Sequence, residues 1–320
     1  MSFSSDAKGE VMRTSPVTEE EMRSELTAAV LLTGLMTYRG RGRLQLTLSY
    51  ESASVTRYFY AQVRRLMPAL KPQLQTVRSS QLGDHTRYRF ELTEEETDAL
   101  ITGLGLRDES AFLGVRREPD QSILRGEAAL FAYLRGAFLA AGWVSDPERA
   151  YCLEFALGDE AGAEQVRGIL SGMGFKCGLS ARKSQTVAYL RDFEGVSRLL
   201  ASLGAHAAYM AYENVRIMKD LRGSVNRQTN CDDSNTDKTV SAAQKQIRDI
   251  RLLIERGVME TLPQTLRAIA QQRLNAPDAN LTELGQALDP PIGKSGANNR
   301  LRRLSALADD LRARTGDDPQ

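Results

Sequence analysis

Along the first two thirds of the chain, apolar positions fall into two series with the same order of periods. LTAAVLLTG at residues 26–34 and LRGAFLAAG at residues 134–142 are helix ends rich in small and apolar residues, each stopped by glycine, and they start 108 residues apart. Strand-like alternation follows in both, at Leu44, Leu46 and Leu48 and at Leu153, Phe155 and Leu157. Stretches 53–67 and 160–173 predict a helix in each copy, and strands near 73–77 and 88–92 have counterparts near 176–179 and 187–190. Each series closes with an amphipathic helix, 94–104 and 193–203, followed by Gly105 and Gly204. The order helix, two strands, helix, two strands, helix thus occurs twice. Agreement over about a hundred residues marks a duplication rather than a chance likeness of two apolar helices.

The last third has a purely helical period. Val240, Ala243, Ile247, Ile250 and Ile254 share one spacing, and a second helix over 263–274 turns Leu266, Ile269 and Leu274 inward with Pro263 in its first turn. Residues 280–304, NLTELGQALDPPIGKSGANNRLRRL, predict two short helices joined by a proline turn. Asn280 is the expected N-cap of the first, with Glu283 as its capping-box partner and Leu281, Leu284 and Leu288 on its apolar side. Asp289-Pro290-Pro291 must end it, because neither proline continues a helix. Ser295 is expected to cap the second helix, with Ala297, Leu301 and Leu304 inward.

That second helix carries Lys294, Arg300, Arg302 and Arg303 and no acid, the electrostatic footprint of a recognition helix in a helix-turn-helix. Lys294, Arg302 and Arg303 are read as phosphate contacts. Asn298, Asn299 and Arg300 are read as base contacts, since amide and guanidinium groups make paired hydrogen bonds to purine edges. A plain solvated surface is the competing reading of any basic helix face. Between the two parts, GSVNRQTNCDDSNTDK at 223–238 has almost no apolar residue and predicts turns and caps rather than a continuing helix. The expected division is a first copy over 1–122, a second over 123–222, a linker over 223–239, a helix-turn-helix domain over 240–306 and a disordered tail over 307–320. The fold class is α+β followed by an all-α domain.

Composition sharpens this picture in three ways. Net charge over 320 residues is only +1, yet residues 240–304 hold ten Lys/Arg against six Asp/Glu and the remaining tail is net acidic, a layout common among nucleic-acid binders. Three scattered cysteines (Cys152, Cys177, Cys231) and two histidines (His85, His206) offer no metal-ligand spacing, and sparse cysteine points to a reducing cytoplasm. Cys152 and Cys177 sit in strand-like runs and are expected in the core. No apolar run reaches membrane-spanning length, and the N-terminus lacks a signal peptide's apolar segment.

LTAAVLLTG and LRGAFLAAG resemble the two LAGLIDADG helices of monomeric homing endonucleases. The resemblance implies that these helices pack at a pseudo-two-fold axis, with Ala28, Gly34, Gly136 and Gly142 allowing close approach, beneath saddle-like sheets. Over nearly the whole chain the sequence is similar to the WhiA family, through SFSSDAKGE, LRGAFLAAGWVSDP, NRQTNCDDSNTDKT and LDPPIGKSGANNRLRRL. That resemblance implies a DNA-binding transcription regulator of sporulation, cell division and chromosome segregation. It further implies nucleoid association, binding to promoters including its own, and joint action with a WhiB-like iron–sulfur regulator. It also suggests linker contacts to DNA by Asn226, Arg227, Asn230 and Asn235.

Homing endonucleases cut with divalent metals held by an acid from the eighth position of each LAGLIDADG helix. Here those positions are Thr33 and Ala141, and the sixth positions are Leu31 and Leu139, so no catalytic residue and no cofactor is expected. Asp146 lies just beyond, in an SDPE string that reads as a turn. Strand-borne Arg78, Arg87, Arg89, Lys176, Arg182 and Lys183 could form a second DNA surface or be solvated edge residues. An active endonuclease and a protein-interaction adaptor of the division machinery are the alternative classes.

Overall fold

A computed structural model describes residues 2–14, 16–39, 43–79, 85–111 and 113–315. The chain divides into two compact units, Met1–Met218 and Lys219–Gln320.

The first unit contains the duplication. A leading helix α1 (Phe3–Arg13) precedes the first copy: α2 (Glu19–Thr33), β1 (Leu35–Tyr38), β2 (Leu44–Tyr50), α3 (Ala53–Leu66), β3 (Gln73–Ser79), β4 (His85–Glu91) and α4 (Glu94–Gly103). The second copy follows with α5 (Glu127–Ala141), β5 (Gly142–Val144), β6 (Leu153–Leu157), α6 (Glu160–Gly172), β7 (Gly178–Arg182), β8 (Gln185–Leu190) and α7 (Phe193–Leu203). Two four-stranded antiparallel sheets result, ordered β1-β2-β4-β3 and β5-β6-β8-β7. The alternation read from the sequence is the observed burial: Leu44, Leu46 and Leu48 face one core side of β2 while Gln45, Thr47 and Ser49 do not, and β6 repeats this at Leu153, Phe155 and Leu157. The short strands β1 and β5, for which no separate apolar pattern is visible, complete the two-strand steps and pair with β2 and β6.

The middle of this unit is the α2–α5 pair, which buries Ala28, Ala29, Ala132 and Ala137 completely. A Cβ on Gly136 would collide with the backbone carbonyl of Glu25, so only glycine admits this approach. Gly34 and Gly142 act differently. Each ends its helix with extended backbone, and an added Cβ would strike its own helix at Val30 or Phe138 rather than the partner helix. Caps set the helix starts: Thr18–Glu21 and Thr93–Glu96 form complete capping boxes on α2 and α4.

The second unit is helical. α8 (His206–Glu255) enters it and is followed by α9 (Gln264–Asn275), α10 (Leu281–Gln286) and α11 (Lys294–Thr315). Two expectations are corrected here. The polar stretch 223–239 is not a run of turns but the middle of α8. Asn, Asp, Ser and Thr cost a few tenths of a kcal/mol each in a helix, and propagation from both flanks outweighs that sum. Ser224 and Thr239 return their hydroxyls to the Leu221 and Asn235 carbonyls at 2.8 Å, so the side chains do not compete for a turn. Likewise 307–315, expected to be disordered, extends α11, while 316–320 lie outside the described residues.

Candidate nucleic-acid interface

The core of the second unit is built from Ile250 and Leu253 of α8, Leu266 and Ile269 of α9, Leu284 and Leu288 around α10, and Ala297, Leu301, Leu304 and Ala308 of α11. Val240 and Ile254, expected inward on α8, are exposed, and Leu253 and Asp249 take the buried positions. On α9, Leu274 is only half-buried and Arg273 lies in its place.

The helix-turn-helix rests on local chemistry at both of its joints. Asn280 accepts from the Thr282 and Glu283 amides at 3.0 Å, and the Glu283 carboxylate accepts from the Asn280 amide at 2.8 Å. α10 then stops ahead of the cis Asp289–Pro290 bond. The chain folds back so tightly that the Ile292 amide donates to the Gly285 carbonyl at 2.9 Å, and a Cβ on Gly285 would collide with the Ile292 carbonyl. Gly285 is a functional requirement of the turn that the periodicity does not flag. Its one signal is a glycine inside a helix too short to afford one. α11 starts at Lys294, so Ser295 lies in its first turn rather than at the cap, and the Gly293 carbonyl accepts from Ala297 at 3.1 Å.

Two arginines hold this arrangement. Arg273, buried to 2% exposure, donates to the Pro277 and Ala279 carbonyls at 3.2 and 2.6 Å and to Gln246 at 3.0 Å, tying α9 to α8 and to the loop before α10. Arg312 bridges Asp249 and Asp309 at 2.6 Å each, fixing the far end of α11 to α8. Neither role is visible in the sequence, because each joins residues of different helices.

With Ala297, Leu301, Leu304 and Ala308 turned inward, helical geometry places Ser295, Asn299, Arg302 and Arg303 on the opposite face, and all four are exposed. Lys294 is exposed at the helix start. Asn298 and Arg300 flank this face and are half-buried. No acid occurs on α11 until Asp309. Asn226, Arg227, Asn230 and Asn235 are exposed along α8, where the Asn235 amide stands 3.7 Å from the Cys231 sulfur.

In the first unit, three of the six basic residues singled out from the sequence have polar partners. Arg89 is held by Glu91 at 3.2 Å and by Gln75, Arg182 by Glu154 at 2.7 Å, and Arg87 lies 4.0 Å from Glu51. Arg78, Lys176 and Lys183 are exposed. Cys152 and Cys177 stand one residue ahead of β6 and β7, half-buried rather than in the core, and burial pushes the Cys177 thiol up to about 11.

At the ends of the central helices, Thr33 donates to the Ala29 carbonyl at 2.8 Å and lies 3.3 Å from the Tyr50 hydroxyl. Ala141 offers no polar atom on its side chain. Asp146 opens a turn in which Pro147 is second and the Arg149 amide returns to its carbonyl at 3.0 Å. Among the described residues no group of three or more His, Cys, Asp or Glu is placed to hold a metal ion. Lys8 reaches the end of α5 from α1, its Nζ donating to the Leu139 carbonyl at 3.1 Å; burial lowers its pKa to about 8, against the nearby Glu51 carboxylate. Midway along the pair, Arg135 and Glu25 form a buried ion pair at 2.9 Å, joined by the Tyr58 hydroxyl at 2.7 Å from Glu25. Burial raises the Glu25 pKa to about 7, opposed mainly by the Arg135 charge.

Comparison with known proteins resolves what this combination is. The family model for the WhiA C-terminal HTH domain matches residues 225–308, and that for the WhiA LAGLIDADG-like domain matches residues 130–222. A probable cell division protein WhiA from Clostridium botulinum (strain Eklund 17B / Type B) is 35% identical over 315 residues, spanning 98% of this chain and 99% of the relative. The chain belongs to the WhiA family. A probable cell division protein WhiA from Thermoanaerobacter sp. (strain X514) is likewise 35% identical over 98% of this chain and 99% of its own length. The crystal structure of full-length DUF199/WhiA from Thermotoga maritima shares the fold, with a TM-score of 0.57 at 22% identity over 97% of this chain and 99% of that one. The WhiA family combines a LAGLIDADG-like domain with a helix-turn-helix, and its curated members are named as cell division proteins rather than enzymes. No helix among the described residues is long and apolar enough to cross a membrane.

Proposed function

We propose that this protein is a sequence-specific, non-catalytic DNA-binding regulator of transcription that acts in cell division, chromosome segregation and sporulation. It works on the nucleoid in the cytoplasm and binds promoters, its own among them. The observation that carries this reading is the exposed face of α11, where Ser295, Asn299, Arg302 and Arg303 stand opposite the core on a helix free of acid until Asp309. Cations on such a face release counterions from the phosphate backbone, and the amide of Asn299 can make paired hydrogen bonds to an adenine edge. Lys294 belongs with the phosphate contacts. Asn298 and Arg300, at the flanks, reach bases only where the groove wall closes on the helix. The exposed amides of α8, Asn226, Asn230 and Asn235, with Arg227, add backbone contacts to the same duplex. A WhiB-like iron–sulfur regulator as co-regulator is part of the proposal and rests on the family alone.

Absence of cutting is supported by Thr33 and Ala141, which supply no carboxylate where a homing endonuclease holds its metals. Binding of duplex fragments from its own promoter, followed by fluorescence anisotropy against salt, tests the regulator. Asn299→Ala should lower the ratio of promoter to random-duplex affinity, with little change in salt slope. Equal discrimination by this variant and the parent removes base reading from α11. Incubation of the same duplex with magnesium should leave it intact; double-strand cuts that vanish with chelator would restore the endonuclease reading.

A further inference from the structure

The two copies treat one groove differently. Each groove is bounded by the end of a central helix, the first strand after it and the start of the middle helix of the other copy. In one groove, formed by α5, β5 and α3, the leading helix α1 is docked. Ser4 accepts from the Val144 amide at 3.2 Å, Lys8 donates to the Leu139 carbonyl at 3.1 Å and stands 5.8 Å from the Phe138 ring, and Ala7 and Val11 are fully buried. Shifting by the 108-residue repeat carries Phe138, Leu139 and Val144 onto Val30, Leu31 and Met36. Those three residues line a cavity of about 780 Å³, whose opposite wall is the start of α6 around Ala161.

The leading segment of the second copy lies here, as α1 does in the other groove. Residues 108–121, which precede α5, contribute Leu113 and Val115 to the lining. Their described residues form turns and a single bridge, Arg107 to Val115, and no helix. A groove that a helix fills in one copy is therefore only partly filled in the other.

We propose that this cavity docks an amphipathic helix of a partner protein, one that presents small residues and a lysine at the spacing of Ser4, Ala7, Lys8 and Val11 in α1. That spacing is i, i+3, i+4, i+7, the register by which a helix anchors in a groove. The charge of the wall suits the lysine. The end of α2 contributes the partial negative charge of its carbonyls, and Asp108, Glu118 and Asp159 stand against Arg116 and Arg117, of which Arg116 is engaged by Asp120 at 3.6 Å.

The probe is a labelled peptide with the sequence of residues 2–14, titrated against the full chain. Saturable one-to-one binding is expected, weakened roughly tenfold or more in the protein variant Ala161→Trp and in the peptide with Lys8→Glu. Ala161 is exposed, so tryptophan narrows the cavity without entering the core; thermal unfolding and duplex binding of Ala161→Trp should match the parent. Equal peptide affinity for Ala161→Trp and parent would mean that the peptide exchanges with α1 in the other groove, and overturns the proposal. So does the absence of binding to the parent chain.

Discussion

The central pair α2–α5 and the helix α11 put polar residues to opposite use. Along the pair, Glu25 and Arg135 are turned onto each other inside the protein, and the helix ends carry Thr33 and Ala141, neither of which is a carboxylate. On α11, Ser295, Asn299, Arg302 and Arg303 stand in solvent opposite the inward Ala297, Leu301, Leu304 and Ala308. The first region has the packing of a LAGLIDADG-like domain with no carboxylate at the eighth position of either helix; the second leaves Lys294, Arg302 and Arg303 exposed and pairs Arg312 near its far end. The difference teaches which face is suited to the proposed duplex: the one whose charge the protein itself leaves uncompensated, because a duplex can displace water and counterions but not a buried carboxylate.

The comparison breaks most decisively at buried contacts of each region. Arg312→Leu leaves Asp249, fully buried, without its cation, and should destabilise the second unit by about 3–5 kcal/mol in denaturant titrations, with loss of duplex binding. Gly136→Leu should cost about 3 kcal/mol in the first unit, because the added side chain must separate α2 from α5 at the Glu25 carbonyl; an unchanged midpoint would show that the helices part easily.

A subtler test exploits the charge inside the pair. Burial raises the Glu25 pKa from 4.5 to about 7, so the folded state holds a proton that the unfolded chain releases. Stability from this group is therefore fully present below about pH 4.5 and is lost as pH rises through about 7, a total on the order of 3 kcal/mol. Glu25→Gln should flatten that decline in unfolding measured at pH 5 and pH 8; an identical slope would place the titrating group elsewhere. The smallest effect belongs to the surface. Arg303→Ala should weaken promoter and random duplex alike by several-fold and reduce the salt slope by about 1, as expected for one lost phosphate contact.

The duplication, the order of elements and the helix-turn-helix were legible because they depend on neighbours in sequence. Alternation along β2 and β6, the cap at Asn280 and the proline stop after α10 are short-range signals, and the structure places all of them. Polar composition misled at 223–239, where weak local preferences yielded to the cooperativity of a helix entered from both ends, and at 307–315, where Arg312 finds Asp249 only in three dimensions.

By itself, then, the sequence determined the repeat, the absence of carboxylates at the two helix ends and the basic face of the last helix, all properties of residue identity and spacing. Only the tertiary structure decided which glycines are indispensable, that Glu25 meets Arg135, that Arg273 is buried, and that one groove holds a helix while its counterpart stays partly open. Those outcomes join residues far apart in the chain, and the free energy of such contacts depends on what each side chain finds across the interface, which no local pattern records.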